Sequence, residues 1–542
     1  MVSRSARRLL GAATAAALVG SIGLASPAHA GSSGNNNTPK KLTKAVTLPG
    51  VMRHLLAFQA IGDKNGGNRA SGQPGHKRSA DYVAALLQHA GYTVTRQPFQ
   101  FNFCDESGSS FAQTAPTPTT YVDGTDYDLM DCSGSGDVTA AVVPVDLNLV
   151  APRTAVTSGC EASDFTAAVV GKIALMQRGT CPFGTKVANA EAAGAAGAIV
   201  MNQGNGDPVT NADRYNLLLG TLGTPVGIPA IGVSYATGAA FANTPGLTVH
   251  LTADTTAEIR TTENVIAETK TGRADNVVMA GAHLDSEPDT VGVNDNASGS
   301  AGLLEVALQM AKVKPKNKVR FAWWGAEEAN LVGSTFYVTN LTPQQQAQIT
   351  LYLNFDMIAS ANYMFGVYDG DDSAAQGSGP GPAGSAQIEK LFEAFYASRG
   401  QPTNAADFTG RSDYGPFIAA GVNIPAGGLF TGAEGIKTAA DVAKFGGVEG
   451  AQYDPCYHDP CDDLFRVVQK GGDAALYAQL RSRYKLFGNI NTFALDTNAD
   501  AIATAVITYA FDTSTIPPRT APAAAKATVA GPQTDANDLH LR

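Results

Sequence analysis

Residues 276–328 constrain this chain more than any other stretch. They read N-V-V-M-A-G-A-H-L-D-S over 276–286, V-N-D-N-A-S-G-S over 293–300 and F-A-W-W-G-A-E-E over 321–328. Apolar runs of strand character stop at Ala280 and Trp324, and His283, Asp285, Glu327 and Glu328 follow just after the stops. Between them, Asp295 opens a Gly/Ser turn and then a helical pattern. In open α/β sheets, reactive groups collect beyond the carboxyl ends of the strands. An imidazole and several carboxylates converging there point to a divalent metal of hard to borderline character.

Two further residues complete the set. Asp356 ends the apolar run Ile349–Phe355, and His458 lies in the late loop C-Y-H-D-P-C. The candidates are then His283, Asp285, Asp295, Glu327, Glu328, Asp356 and His458. A pair of divalent ions roughly 3.5–4 Å apart needs ligands on each ion and one carboxylate shared between them. Two His, two terminal carboxylates and a bridging one fit that count, and one carboxylate must stay unliganded to move protons. An isolated Asp or Glu after a strand is ordinarily a cap or a solvated residue. That reading weakens for Glu327-Glu328, where neighbouring residues offer ligand and base together. His54, His76, His89, His250 and His540 lack such a setting and read as surface or structural residues. Trp323 and Trp324 read as strand packing.

The 542 residues exceed one ordinary domain, so two domains plus processed or loose ends are expected. Charged residues make up only 16% and Gly numbers 58, a globular composition rich in tight turns. The net charge of −10 argues against a nucleic-acid footprint. Residues 1–30 read as a signal peptide. Arg4, Arg7 and Arg8 precede an Ala-rich apolar core, and Ala28-His29-Ala30 is a small-x-small cleavage site. The mature protein is expected to be acidic, secreted and extracellular. No other stretch is long and apolar enough to span a bilayer. Six Cys in an exported chain should be paired, with fifteen connectivities open. The neighbouring choices are Cys456 with Cys461, Cys160 with Cys181, and Cys104 with Cys132.

Along the chain, residues 31–43 look flexible and 46–60 form an amphipathic helix. Ser79 caps a helix stopped by Gly91, and Tyr92–Phe103 is a strand. Its phase changes at Pro98, as a bulge or an edge position would explain. Residues 105–140 turn Ser-, Thr- and Gly-rich, and a different unit of short strands follows. Later elements are a helix over 298–313, strands at 349–355 and 421–424, and helices over 388–398, 474–487 and 499–509. Asp496 to Asp500 could hold Ca²⁺, but the run lacks the Gly and distal Glu of a calcium loop, and a helix cap is the stronger reading. From Ile516 onward the composition is that of a disordered tail.

The segment R-G-T-C-P-F-G-T-K…A-G-A-I-V-M, over Arg178–Met201, resembles the protease-associated (PA) domain. The motifs G-A-H-L-D-S, N-D-N-A-S-G-S, W-W-G-A-E-E, N-F-D-M-I and C-Y-H-D-P-C-D, in that order, resemble metallopeptidase family twenty-eight. Within it the likeness is to the secreted cocatalytic-zinc aminopeptidases of the aminopeptidase Y and bacterial leucyl type. The fold class so implied is α/β: a zinc-exopeptidase (phosphorylase/hydrolase-like) mixed sheet flanked by helices, with an inserted β-rich PA domain. The domains would be a signal peptide (1–30), a flexible segment (31–43), a catalytic domain (44–103 and 263–512), an insertion (104–262, PA core about 135–255) and a disordered tail (513–542).

The resemblance implies two Zn²⁺ per chain. His283 and Asp356 would hold one, Glu328 and His458 the other, and Asp295 both. Asp285 would accept from the His283 ring. Glu327 would be the general base and Tyr457 the donor to the developing oxyanion. Arg411, in G-R-S-D, and Phe430, in G-G-L-F-T-G, match positions near the substrate, although Tyr414 stands where some relatives have His. The implied activity is removal of N-terminal, apolar residues from peptides and proteins by a monomer. Three alternatives are a carboxypeptidase-type exopeptidase of this fold, a non-catalytic PA/peptidase-like binding protein, and a one-zinc glutaminyl-cyclase type. The first needs a cationic pocket with only Arg411 to supply it. The other two are disfavoured by the full ligand set.

Overall fold

The run Val277–Ala282 is buried on both faces, as a central parallel strand must be. In the computed structural model, which describes residues 35–209 and 211–519, it belongs to the strand Arg273–His283. Parallel strands Asn317–Trp324 and Ile349–Phe355 flank it, and Ala426–Phe430 runs parallel beyond the latter. Gly366–Tyr368 joins antiparallel and Asn404–Ala406 parallel at one edge, and Thr248–Glu268 joins antiparallel at the other. The sheet is therefore mixed. Helices Leu48–Lys64, Ala297–Met310 and Thr492–Phe511 contribute Leu55, Leu304 and Ile502 to one buried cluster, while Tyr337, Tyr352 and Phe417 pack in another.

Trp324 pairs with His283 across the parallel register, so both strands end level. This is why the residues after them emerge at one sheet end. Gly281 makes the alignment feasible. A Cβ there would lie 2.4 Å from the Tyr352 hydroxyl and 2.7 Å from Trp324 Nε1.

The Ser/Thr-rich stretch after Phe103 continues the strand. It runs Thr93–Ala115 and pairs antiparallel with Thr248–Glu268 from Thr93↔Glu268 to Ala115↔Thr248. The expected boundaries at 103/104 and 262/263 thus fall inside two continuous strands. The polar composition reflects a ribbon with much of its surface in water. The register shifts lie at Glu106/Gly108 and Gln113/Ala115, not at Pro98. At the ribbon's base Phe99, Phe101 and Phe103 are buried against Ala326, Ala329, Val332 and Phe336. In the insertion, Gly136–Pro144, Ile173–Gln177, Gly197–Met201 and Ala230–Val233 form consecutive parallel neighbours.

The cysteines pair as Cys104–Cys132, Cys160–Cys181 and Cys456–Cys461. Among the described residues no helix is long and apolar enough to cross a membrane.

Several local expectations are corrected. Residues Pro39–Ala45 are helical, capped by the Thr38 hydroxyl and anchored by buried Leu42. The next-but-one helix starts at Pro74, so Ser79 lies inside it and its hydroxyl donates to the Gly75 carbonyl at 3.0 Å. Residues 421–424 are a turn with Gly421 at φ 88° and Asn423 at φ 50°, and the strand begins at Ala426. The helix from Ala474 ends at Arg483. The last helix spans Thr492–Phe511 with Asn491 as its cap, so Asp496–Asp500 is helix interior and neither a cap nor a calcium loop. Asp500 pairs with Arg399 at 2.7 Å. The start of the expected tail is docked. Ile516 is buried, and the Arg519 guanidinium donates to the carbonyls of Gln346, Ile349 and Val422. The proposed signal peptide and residues 520–542 lie outside the described residues.

Phe101→Ala should remove ribbon packing worth about 3–5 kcal/mol. The urea midpoint should fall at an unchanged m-value.

Candidate active site

The seven candidates from the sequence meet at the carboxyl end of the central strands. His283 Nε2 lies 3.1 Å from Asp356 Oδ1, 3.1 Å from Asp295 Oδ1 and 3.9 Å from Glu327 Oε2. His458 Nε2 lies 3.4 Å from Asp295 Oδ2 and 3.3 Å from Glu328 Oε2. Asp295 therefore turns one oxygen to each imidazole. Candidate ligand atoms of His283, Glu327 and Asp356 lie within 4.8 Å of one another, as do those of His283, Asp295 and Glu328, and of Glu287, Glu328 and His458. Asp285 lies behind His283, 3.7 Å from Nδ1, and accepts the Glu327 amide at 3.3 Å.

Local backbone explains these directions. Ala326 adopts φ 54°, a left-handed turn costing a non-glycine residue roughly 1–2 kcal/mol. Its amide donates to the Ser71 hydroxyl at 2.6 Å, which helps hold the strained turn that presents Glu327 and Glu328. The Asp295 turn is held by Asp462, which accepts the amides of Asn294 (2.9 Å) and Asp295 (3.0 Å). Asn489 donates to Asp462 at 2.7 Å and to Asp454 at 2.9 Å. Asp454 also accepts the Cys456 amide at 2.9 Å. The disulfide loop carrying Tyr457 and His458 is thereby joined to the Asp295 turn.

The site is a concentration of buried carboxyl groups. Burial pushes Glu327 well above the usual carboxylate range, and neighbouring Asp356, Asp413 and Glu328 add to it against His283. Burial, with Asp295 beside it, pushes Glu328 up to about 8. Burial likewise pushes Asp413 up to about 8. Burial opposes the charge of Asp295, but His283 and His458 hold it well below the ordinary value. Both imidazoles are raised against their burial by these carboxylates. Two imidazoles cannot balance so many acids.

Arg69 is a residue the sequence reading passed over. It is fully buried and donates to the carbonyls of Leu284, Val291 (2.8 Å) and Gly292 (2.7 Å), bracing the segment before Asp295. Also missed was a hydrogen-bond chain reaching Asp356. Trp324 Nε1 donates to Tyr352 (2.8 Å), Tyr352 to Asn354 (3.0 Å), Asn354 to Ser412 (2.8 Å), and Ser412 to Asp356 Oδ2 (2.5 Å). Only the motif G-R-S-D, already singled out for Arg411, hinted at Ser412. Both Trp are fully buried, so the packing reading stands, with Trp324 a donor as well.

Toward solvent, Tyr457 stacks on His458 with ring centroids 3.8 Å apart. Arg411 Nη2 lies 3.4 Å from the Tyr457 hydroxyl, and Arg411 Nη1 is 2.6 Å from Glu434. Phe430 is half-buried at the end of its strand, packed on the cluster that includes Tyr352 and Phe417. A separate acidic group, Asp369, Asp371 and Glu389, lies outside this site; Asp369 caps the Ser373 and Ala374 amides, and Glu389 accepts from Gly370.

Sequence comparison matches residues 264–480 to Peptidase family M28 and residues 138–241 to the PA domain. An aminopeptidase of Pseudomonas aeruginosa is 48% identical over 438 residues, covering 80% of each chain. Leucine aminopeptidase 2 of Trichophyton rubrum is 38% identical over 488 residues, covering 89% of this chain and 88% of its own. The fold is shared with an aminopeptidase from Aneurinibacillus sp. strain AM-1 (TM-score 0.59, 24% identity, 90% of this chain and 99% of that one). It is shared too with a zinc aminopeptidase from Bacillus subtilis (TM-score 0.51, 23% identity, 85% and 94%).

His76 sits beneath this site, its Nδ1 3.1 Å from the Thr262 hydroxyl and its Nε2 buried without a hydrogen-bond partner. Burial holds its pKa below the usual 6.5. The unfolded chain then binds a proton that the folded one refuses, so its stabilising contribution is present above about pH 6.5 and lost on acidification. His76→Gln should flatten the fall of the urea midpoint between about pH 6.5 and 5 relative to wild type.

Proposed function

The chain belongs to Peptidase family M28, and on that premise we propose that it is a secreted, dizinc aminopeptidase that removes apolar N-terminal residues from peptides and proteins. The observation that carries the reading is Asp295, whose two oxygens are divided between the His283 and His458 sides of one acidic cluster.

The residues fit a pair of zinc ions. Their donors are imidazole and carboxylate, the set zinc takes in catalytic sites. Glu328 Oε1 is buried without a hydrogen-bond partner, as a ligand oxygen would be. His283 and Asp356 would hold one ion, Glu328 and His458 the other, with Asp295 shared. Bound zinc supplies Lewis acidity, bringing a water's pKa from 15.7 to roughly 7 and polarising a carbonyl.

The chain's own groups do the rest. Glu327, beside the ligands with Oε2 3.9 Å from His283 Nε2, takes the proton of the attacking water and returns it to the leaving amine. The Tyr457 hydroxyl donates to the oxygen that gains charge on the scissile carbonyl. Arg411, held by Glu434, steadies that phenol. The acidic hollow favours a free α-ammonium group, and Phe430 offers apolar surface beside it. Export is supported by three disulfides. The carboxypeptidase reading loses ground because Arg411, its candidate anion pocket, is already paired with Glu434.

Purified protein should contain two zinc per chain. It should release free amino acids from unblocked peptides and aminoacyl-p-nitroanilides, and chelation should abolish turnover until zinc is restored. Comparable rates on N-acetylated peptides would overturn the aminopeptidase assignment. Glu327→Gln should keep both zinc ions yet lower kcat by about 10²–10⁴-fold. Near-normal kcat would remove Glu327 from the role of base.

A further inference from the structure

His283 and His458 enter the acidic cluster through the same atom. Each turns Nε2 toward Asp295, at 3.1 and 3.4 Å. An imidazole that ligates through Nε2 carries its proton on Nδ1, and that proton needs an acceptor to fix tautomer and ring plane. For His283 the carboxylate facing Nδ1 is Asp285, at 3.7 Å. For His458 it is Glu287, whose Oε1 lies 3.5 Å from Nδ1. Both acids come from one strand exit, H-L-D-S-E, at alternate positions of the chain.

His458 has the greater need of such a partner. Its side chain is 37% exposed against 1% for His283. Its backbone sits at φ 56° in the small loop closed by Cys456–Cys461. Tyr457 covers one face of the ring, which limits tilt but leaves rotation in the ring plane open. A carboxylate at Nδ1 removes that freedom. Glu287 is itself rooted by a short turn, with its carbonyl accepting the Ser286 hydroxyl at 3.0 Å and the Thr290 amide at 3.4 Å.

We propose that Glu287 is the positioning residue for His458, the outer carboxylate of one metal position as Asp285 is of the other. This rests on the dizinc reading above. The two partnerships differ in setting. Asp285 is buried at 1% exposure and its pairing is shielded from salt, whereas Glu287 is 31% exposed and its pairing is screened. The ion held by Glu328 and His458 should therefore be the more weakly bound and the more salt-sensitive of the pair.

Zinc titration of the full mature protein against a chromophoric chelator tests this. Wild type should show two zinc, one weaker. Glu287→Ala should weaken one zinc by about 10–100-fold and leave the other unchanged. Glu287→Gln, whose amide oxygen still accepts from Nδ1, should recover part of that loss. Asp285→Asn should weaken the opposite position. At saturating zinc Glu287→Ala should regain most of its kcat. Unchanged zinc affinities in Glu287→Ala, or equal loss at both positions, would overturn the proposal. So would a site that cannot be filled at any zinc concentration, because Glu287 would then be a ligand. A wild type that takes up only one zinc would instead sink the dizinc reading on which this rests.

Discussion

Buried carboxyl groups at the end of an apolar sheet are the constraint to which the rest of this molecule answers. Asp285, Asp295, Glu327, Asp356 and Asp413 are all nearly or fully inaccessible, and Glu328 lies beside them. Each buried ion costs several kcal/mol of lost hydration unless paired or hydrogen-bonded. Around them stand Arg69, wholly enclosed and aimed at three carbonyls, two imidazoles, and a ring of amide and hydroxyl donors. These supports fix where each oxygen points, so an incoming cation would meet a preformed set of donors.

Those supports come from far along the chain. Asn294 and Asp295 are held by Asp462, and Arg69 braces residues more than 200 positions away. Ser412, from a loop, bonds Asp356 directly, and Trp324, at the end of its strand, reaches it through Tyr352, Asn354 and Ser412. A change at Asn489, which touches neither imidazole, would act on both halves of the site through Asp454 and Asp462.

This distance also explains what was legible in the sequence. Local pattern revealed the apolar strands, the polar residues placed directly after them and the Gly/Ser turn, because those depend on neighbours. Ligand counting called for one shared carboxylate, and the family resemblance implied that it is Asp295. Arg69, Asp462, Asn489 and Glu287 could not, since an Arg in a Gly-rich loop or an acid after a strand looks like any solvated residue until its remote partner is known. The ribbon was missed for a related reason. Period-two hydrophobicity marks a strand with one buried face, and beyond Phe103 much of the strand faces water. The misplaced strand at 421–424 followed from reading composition without the left-handed turn at Gly421 and Asn423.

The ribbon has a mechanical meaning. Two hydrogen-bonded strands resist bending in a way that a pair of loose linkers does not, so the insertion is mounted on a cantilever. The root of that beam is the phenylalanine trio wedged behind Ala326, the residue whose strained turn aims Glu327. Displacing the far end of that beam would therefore bear first on the packing beneath the turn that carries Glu327.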